Sequence, residues 1–332
     1  MSRPATYDVV AIGNAIVDVL ARVSDVLIVT EGLTKGSMRL IDAAEAERLY
    51  AAMGPAIEMS GGSAANTLAG MAALGRPCAF IGQVADDQLG AVFSHDLRAM
   101  GVHFATPMAG DGPPTARCLI LVTPDGQRTM NTFLGASQHL GRDALDAALI
   151  QSSAILYLEG YLWNAAASRA AMAEAIALAR AAGRQVAFTL SDTFVIAAHR
   201  DDFVAMLARR DIDILFANEA ELHELAQTDD FEAAVAWVAA QVGLLVATRG
   251  EKGAVAVRGT ERAVVAAEPV SAVVDTTGAG DLFAAGVLAG LARGESLERG
   301  LIMGAVCAGL IIAQIGPRAQ SDLAAAVAAR LA

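Results

Sequence analysis

VVDTTGAGDLFAAG, Val273 to Gly286, places two threonines and two glycines between two aspartates and runs straight into an apolar pattern. Val273 and Val274 read as the end of an extended segment. Thr276, Thr277, Gly278, Ala279 and Gly280 then supply small residues whose backbone amides can turn toward one point. Leu282, Phe283, Val287 and Leu291 recur at helical spacing, so a helix is expected to begin near Ala279 or Gly280.

Familiar nucleotide fingerprints do not explain this turn. GxxxxGK[ST] does not occur, so there is no P-loop lysine. Phe283 stands where a dinucleotide fingerprint needs its third glycine, and the turn comes too late in the chain to open a first βαβ unit. What remains is a helix start, whose unpaired N–H groups and positive dipole end hold anions without a lysine. A chain with formal net charge −12 needs such a local device if it is to bind phosphate. Asp281, in the first turn, has two readings. It is a carboxylate stabilised by the helix dipole, worth about 0.3–1 kcal/mol, or a base that takes the proton of an attacking hydroxyl.

GGSAANTLAGMAALG, Gly61 to Gly75, repeats the theme: two glycines lead into a small-residue helix that stops at Gly75-Arg76-Pro77. Packing alone accounts for small residues, but Asn66 in the first turn is also placed to hydrogen-bond vicinal hydroxyls. Ala65 breaks the GxSxG pattern of a nucleophile elbow, and five scattered histidines form no triad or zinc signature.

Apolar runs at 8–13, 78–82, 154–159, 185–190, 213–217 and 244–248 alternate with helical patterns at 86–100, 164–182, 230–242 and 297–314. Continuous apolar strands with helices between them predict an α/β fold whose mostly parallel sheet is covered on both faces. Asn14 and Asp18, just past the first strand, fall where such a sheet places its ligand crevice. Residues 14–41 and 115–134 break the alternation. The second contains Pro124-Asp125-Gly126 between two β-like runs, a hairpin signal.

The 332 residues show no low-complexity linker, basic leader or apolar run long enough to span a bilayer. Three widely spaced cysteines without CxxC argue for reduced thiols and a cytoplasmic protein. The acidic balance excludes nucleic acid and membrane as bulk electrostatic partners.

Together, GGSAANTLAGMAALG, DTTGAGDLFAAG and the order of elements between them resemble the PfkB, or ribokinase-like, carbohydrate kinase family across essentially the whole chain. The resemblance implies a single ribokinase-like three-layer α/β sandwich over 1–332, with residues about 14–41 and 115–134 forming a small β-sheet lid. It implies an ATP- and Mg²⁺-dependent kinase in which Asp281 is the base and Gly278, Ala279 and Gly280 are the anion hole. FANEAELHEL matches the family's Asn-x-x-Glu element through Asn218 and Glu221, which implies a role in organising Mg²⁺ and phosphates. Thr248, Gly250 and Gly253 correspond to the nucleotide-side loop, where Arg249 and Lys252 are either phosphate contacts or solvated charges. Asp275 and Thr277 fall where some members bind a monovalent cation such as K⁺.

GNAIVD, KGSMRLID, RTMNTFLGAS and EGYLWN resemble bacterial adenosine-kinase-like members, with Ser63 where ribokinase-like motifs carry lysine. That implies a nucleoside acceptor: Asn14, Asp18, Gly61, Gly62, Ser63 and Asn66 around the ribose hydroxyls, and Met38, Phe133 and Tyr161 as a wall for the base. The alternatives are a sugar kinase of the same family and a catalytically silent nucleoside-binding protein. A monomer and a homodimer are both compatible with the resemblance.

Overall fold

The apolar runs become strands because neighbouring residues in each are buried on opposite faces. In the computed structural model, which describes residues 5–332, Val9 and Ala11 join one apolar core while Val10 and Ile12 join a second on the other side of the sheet. A strand buried on both faces has no polar alternation, as the sequence of Tyr7–Ile12 shows.

Among the described residues the larger sheet has nine strands, in the order Glu261–Val265, Ala254–Arg258, Leu244–Thr248, Ile214–Asn218, Gln185–Thr189, Ser153–Glu159, Tyr7–Ile12, Cys78–Ile81 and His103–Phe104. Pairing is parallel from Leu244–Thr248 through His103–Phe104 and antiparallel at the first two strands. After Tyr7–Ile12 the chain adds Cys78–Ile81 on one side and later Ser153–Glu159 on the other. The strand order therefore reverses at Tyr7–Ile12, the position where open α/β sheets place their ligands.

A second sheet of five strands runs Met38–Leu40, Arg128–Phe133, Ala116–Val122, Ile16–Arg22, Ala56–Gly61. The two segments expected to form a small β element supply four of these strands. The fifth, Ala56–Gly61, lies outside both and pairs antiparallel with Ile16–Arg22, so that Ile16 faces Gly61. Val17, Val19, Leu119 and Leu121 point toward the helices and the core, whereas Ile16, Asp18 and Cys118 point the other way and line a cleft.

The glycine-led helices Ser63–Ala73 and Ala279–Ala292 pack against each other, and Ala279–Ala292 against Leu297–Ile312, through small residues. A Cβ at Gly70 would meet Leu282 and Ala285 within 3 Å, and one at Gly286 would meet the Gly304 backbone at 2.5 Å. Among the described residues no helix is long and apolar enough to cross a membrane, and the three cysteines are free and buried.

Candidate active site

A cleft of about 640 Å³ opens between the carboxyl ends of the parallel strands and the inner face of the small sheet. That is the size range of small-molecule sites. Its floor is built by strand register: Glu159 lies beside Thr189 and Asn218 beside Thr248, each at or next to a strand end and each in the cleft wall.

Asp281 sits where the two glycine motifs meet. Ser63 Oγ donates to its Oδ1 at 2.6 Å and Asn66 Nδ2 to its Oδ2 at 2.9 Å. Burial raises its pKa above the usual carboxylate range, while these two hydrogen bonds and the Arg318 charge pull it back down. The turn expected to bind an anion is an uncapped helix start. Gly278 caps the helix at φ +78°, a conformation suited to glycine, and no side chain caps the first turn. The Ala279 N–H is used internally, donating to Thr276 O at 3.2 Å. At this turn the amides of Thr276, Gly278, Gly280 and Asp281 have no partner among the described residues, and Ala279 does not line the cleft.

On the acceptor side, Asn14 is locked by a buried carboxylate that the sequence reading missed. Its backbone N–H and its Nδ2 both donate to Glu159 Oε1 at 2.7 Å, and Ala64 N–H donates to Glu159 Oε2 at 2.8 Å. Burial pushes Glu159 up to about 7 against these amides. Asp18 differs: it is buried, pushed up to about 7 by desolvation, and accepts no hydrogen bond among the described residues. Its carboxylate faces the cleft as an unused acceptor. Gly62, at φ +93°, lets the chain pass so close to Asn14 that a Cβ would lie 2.3 Å from its carbonyl oxygen.

Ser63, Asn66, Met38 and Tyr161 line the cleft, together with Leu40, Met130 and Thr132. Two expected residues do not. Phe133 is in the core beneath the small sheet, because Met130 and Thr132 take the inward positions of its strand and alternation turns Phe133 away. Gly61 is not in the wall either; a Cβ there would collide with the Asp18 carboxyl at 2.5 Å, so it makes room for Asp18.

On the phosphate side, Asn218, Glu221, Thr248, Thr277, Gly278 and Gly280 line the same cleft. Gly250 and Gly253 lie in the turn beyond Thr248, outside the wall. Arg249 and Lys252 pair with Glu219 at 2.9 and 3.4 Å, and Arg249 stacks 3.8 Å from the Phe231 ring centre, so both charges are engaged away from the cleft. Asn218 and Glu221 form a capping box, with Glu221 N–H donating to Asn218 Oδ1 at 2.8 Å and Asn218 N–H to Glu221 Oε2 at 3.0 Å; Asn218 Nδ2 also donates to Glu221 Oε1 at 2.7 Å.

Burial pushes Glu221 up to about 7, a carboxylate that a nearby hard cation would return to its charged form. No group of three or more His, Cys, Asp or Glu is arranged to cage a metal among the described residues. One carboxylate beside an amide fits Mg²⁺ delivered with phosphate, which keeps most of its water and phosphate ligands. The monovalent-cation expectation at Asp275 does not fit. Asp275 Oδ2 pairs with Arg128 Nη1 at 2.6 Å and accepts from Gly316 N–H at 2.9 Å, while Oδ1 accepts from Thr277 N–H at 3.0 Å. A guanidinium already neutralises this carboxylate.

Known proteins resemble this chain over most of its length. The model of the pfkB family carbohydrate kinases matches residues 41–323. An adenosine kinase structure from Sinorhizobium meliloti is 48% identical, with TM-score 0.91, covering 99% of this chain and 100% of that one. A probable sugar kinase structure from Rhizobium etli is 46% identical, also with TM-score 0.91, covering 99% of both chains. Among curated proteins, adenosine kinase of Saccharomyces cerevisiae is 27% identical over 96% of this chain and 98% of its own length.

Proposed function

Because the chain belongs to the pfkB family of carbohydrate kinases, phosphotransferases with an alcohol acceptor, we propose that it transfers the γ-phosphate of ATP to the 5′-hydroxyl of adenosine or a related nucleoside. The observation that carries this reading is the continuity of one cleft. Asp281 stands between an uncapped helix start and a free acceptor carboxylate, Asp18.

In this reading the acceptor's vicinal hydroxyls donate to Asp18, with Asn66 and the Gly62 backbone beside them. The hydroxymethyl group points at Asp281, which takes its proton as the oxygen attacks phosphorus. The Gly278, Gly280 and Asp281 amides receive the charge that develops on the transferred group. Asn218 and Glu221 would hold Mg²⁺, which when bound neutralises phosphate charge. The small sheet acts as the lid that excludes water from the acceptor side.

The wall of Met38, Leu40, Met130 and Tyr161 supports a nucleoside, since a purine stacks on apolar surface where a free sugar needs hydrogen bonds. The similarity to the adenosine kinase of S. meliloti points the same way, and that to the probable sugar kinase of R. etli keeps a sugar acceptor as the second reading. An ADP-release assay across adenosine, other nucleosides, ribose, fructose and fructose 6-phosphate separates them. Turnover of a sugar well above that of adenosine overturns the nucleoside assignment.

A further inference from the structure

Arg318 lies in the irregular stretch between Leu297–Ile312 and Leu323–Leu331, outside both glycine motifs and outside the cleft wall. It is nevertheless partly buried, and its guanidinium spans two elements. Nη1 donates to Asn66 Oδ1 at 2.6 Å; Nη2 donates to Ser60 O at 2.6 Å and Ser60 Oγ at 2.9 Å. Ser60 is anchored in turn, donating through its N–H and Oγ to Asp96 Oδ2 at 2.8 and 2.6 Å.

This geometry bears on the Asn66 amide. The terminal torsion of asparagine is soft and roughly two-fold, so either end of the amide can face a given neighbour. With a guanidinium holding the oxygen, the NH₂ must face the other way, and there it donates to Asp281 at 2.9 Å. Turned over, the amide would set its oxygen against the carboxylate and its NH₂ against the guanidinium.

Charge points to the same residue. Asp281 is faced by Ser63 and Asn66 from Ser63–Ala73, by Asp18 from Ile16–Arg22, by Tyr157 and Glu159 from Ser153–Glu159, and by Tyr161 and Arg318. Of these groups Arg318 carries the positive charge. It is shared with Asp18 and Asp96, and Arg128, Asp275 and Cys118 also face Asp18. Arg318 Nε has no partner among the described residues.

We propose that Arg318 is a positioning residue for phosphoryl transfer, fixing the Asn66 amide with its NH₂ toward Asp281 and offsetting the negative charge of Asp281 and Asp18. The assignment rests on Asp281 being the base.

The test is ADP release with adenosine, or with the best acceptor of the panel, as a kcat–pH profile for wild type, Arg318→Gln, Arg318→Lys and Asp281→Asn. Arg318→Gln is expected to lower kcat about tenfold or more and to move the acid limb up by about one pH unit or more, because loss of the opposite charge raises the pKa of the base. Arg318→Lys keeps the charge and so the limb, but lowers kcat because a single ammonium cannot reproduce the fork between Asn66 and Ser60. A wild-type limb in folded Arg318→Gln overturns the inference, as does wild-type kcat in Arg318→Lys. If Arg318→Gln does not fold, the lysine variant decides. Turnover retained by Asp281→Asn overturns instead the reading of Asp281 as base.

Discussion

Ser63 Oγ donates to Asp281 Oδ1 at 2.6 Å, so the first turns of two helices far apart in sequence meet at one carboxylate. Both helices point their N-terminal ends at the same place. The close approach depends on Gly70, where any side chain would strike Leu282 and Ala285. Two positive dipole ends around a buried carboxylate favour its charged form against desolvation. Asp281→Asn keeps the shape of this junction and removes the base. It is expected to lower turnover by about 10²–10⁴-fold while changing adenosine affinity only a few-fold, read by ADP release and by calorimetry. If wild type binds adenosine but releases no ADP, the silent binding protein is the better reading.

Asp18 links pH to both binding and stability. Burial holds its pKa at about 7, well above the value of an exposed aspartate. A carboxyl with a raised folded-state pKa contributes stability that is fully present below its unfolded pKa and is lost as pH rises through about 7. The ligand-free protein should therefore melt at a lower temperature above neutrality than in mild acid. Glu159 and Glu221, also raised to about 7, contribute in the same direction, so Asp18→Asn should reduce that dependence and raise Tm on the alkaline side, while weakening adenosine binding about tenfold or more. A variant that melts as wild type does on both sides of neutrality would show that Asp18 carries no buried charge.

What the sequence discloses here is local, and what it hides is long-range. The apolar runs and the helix start at Ala279 are legible because burial on two faces and glycine geometry are written in consecutive residues. The role of Glu159 is hidden inside an otherwise apolar run, and only the parallel pairing of its strand with Tyr7–Ile12 brings it to Asn14. The side of Phe133 is not legible because a strand's two faces look alike until its register is known; Met130 and Thr132 then prove to face the cleft. Arg318 offered a weak signal, a charged residue just past an apolar helix, but its partners Ser60 and Asn66 are set by tertiary packing.

The Arg128–Asp275 pair joins the small sheet to the anion turn in a buried setting, with side chains 9% and 3% exposed. Arg128 Nη1 also donates to Thr277 Oγ1 at 3.3 Å. Removing one partner of such a pair strands the other charge, which typically costs about 3–5 kcal/mol. Two backbone amides remain on Asp275, so Arg128→Met should fall at the lower end of that range in urea unfolding. The double variant Arg128→Met/Asp275→Asn should recover most of the loss. If the single and double variants are equally destabilised, the ion pair is not what ties the sheet to the turn.

Gly286 and Gly304 let the helices Ala279–Ala292 and Leu297–Ile312 touch backbone to backbone. A methyl group at Gly286 would lie 2.5 Å from Gly304 N and from Met303 C, atoms that cannot rotate aside. The helices must then part, and the shift is carried along Ala279–Ala292 to its first turn, where the free amides and Asp281 sit. Gly286→Ala gains helix propensity of about 1 kcal/mol but meets an overpacking penalty of about 1–3 kcal/mol. The net change in stability should be small or unfavourable, and a larger residue such as valine should be clearly destabilising. Turnover is the more sensitive measure, because a displacement of a fraction of an ångström at the anion turn misaligns the transferred phosphoryl group. Gly286→Ala is therefore expected to lower kcat more than its change in Tm implies. Wild-type kcat in that variant would show that the helix start is held independently of this contact.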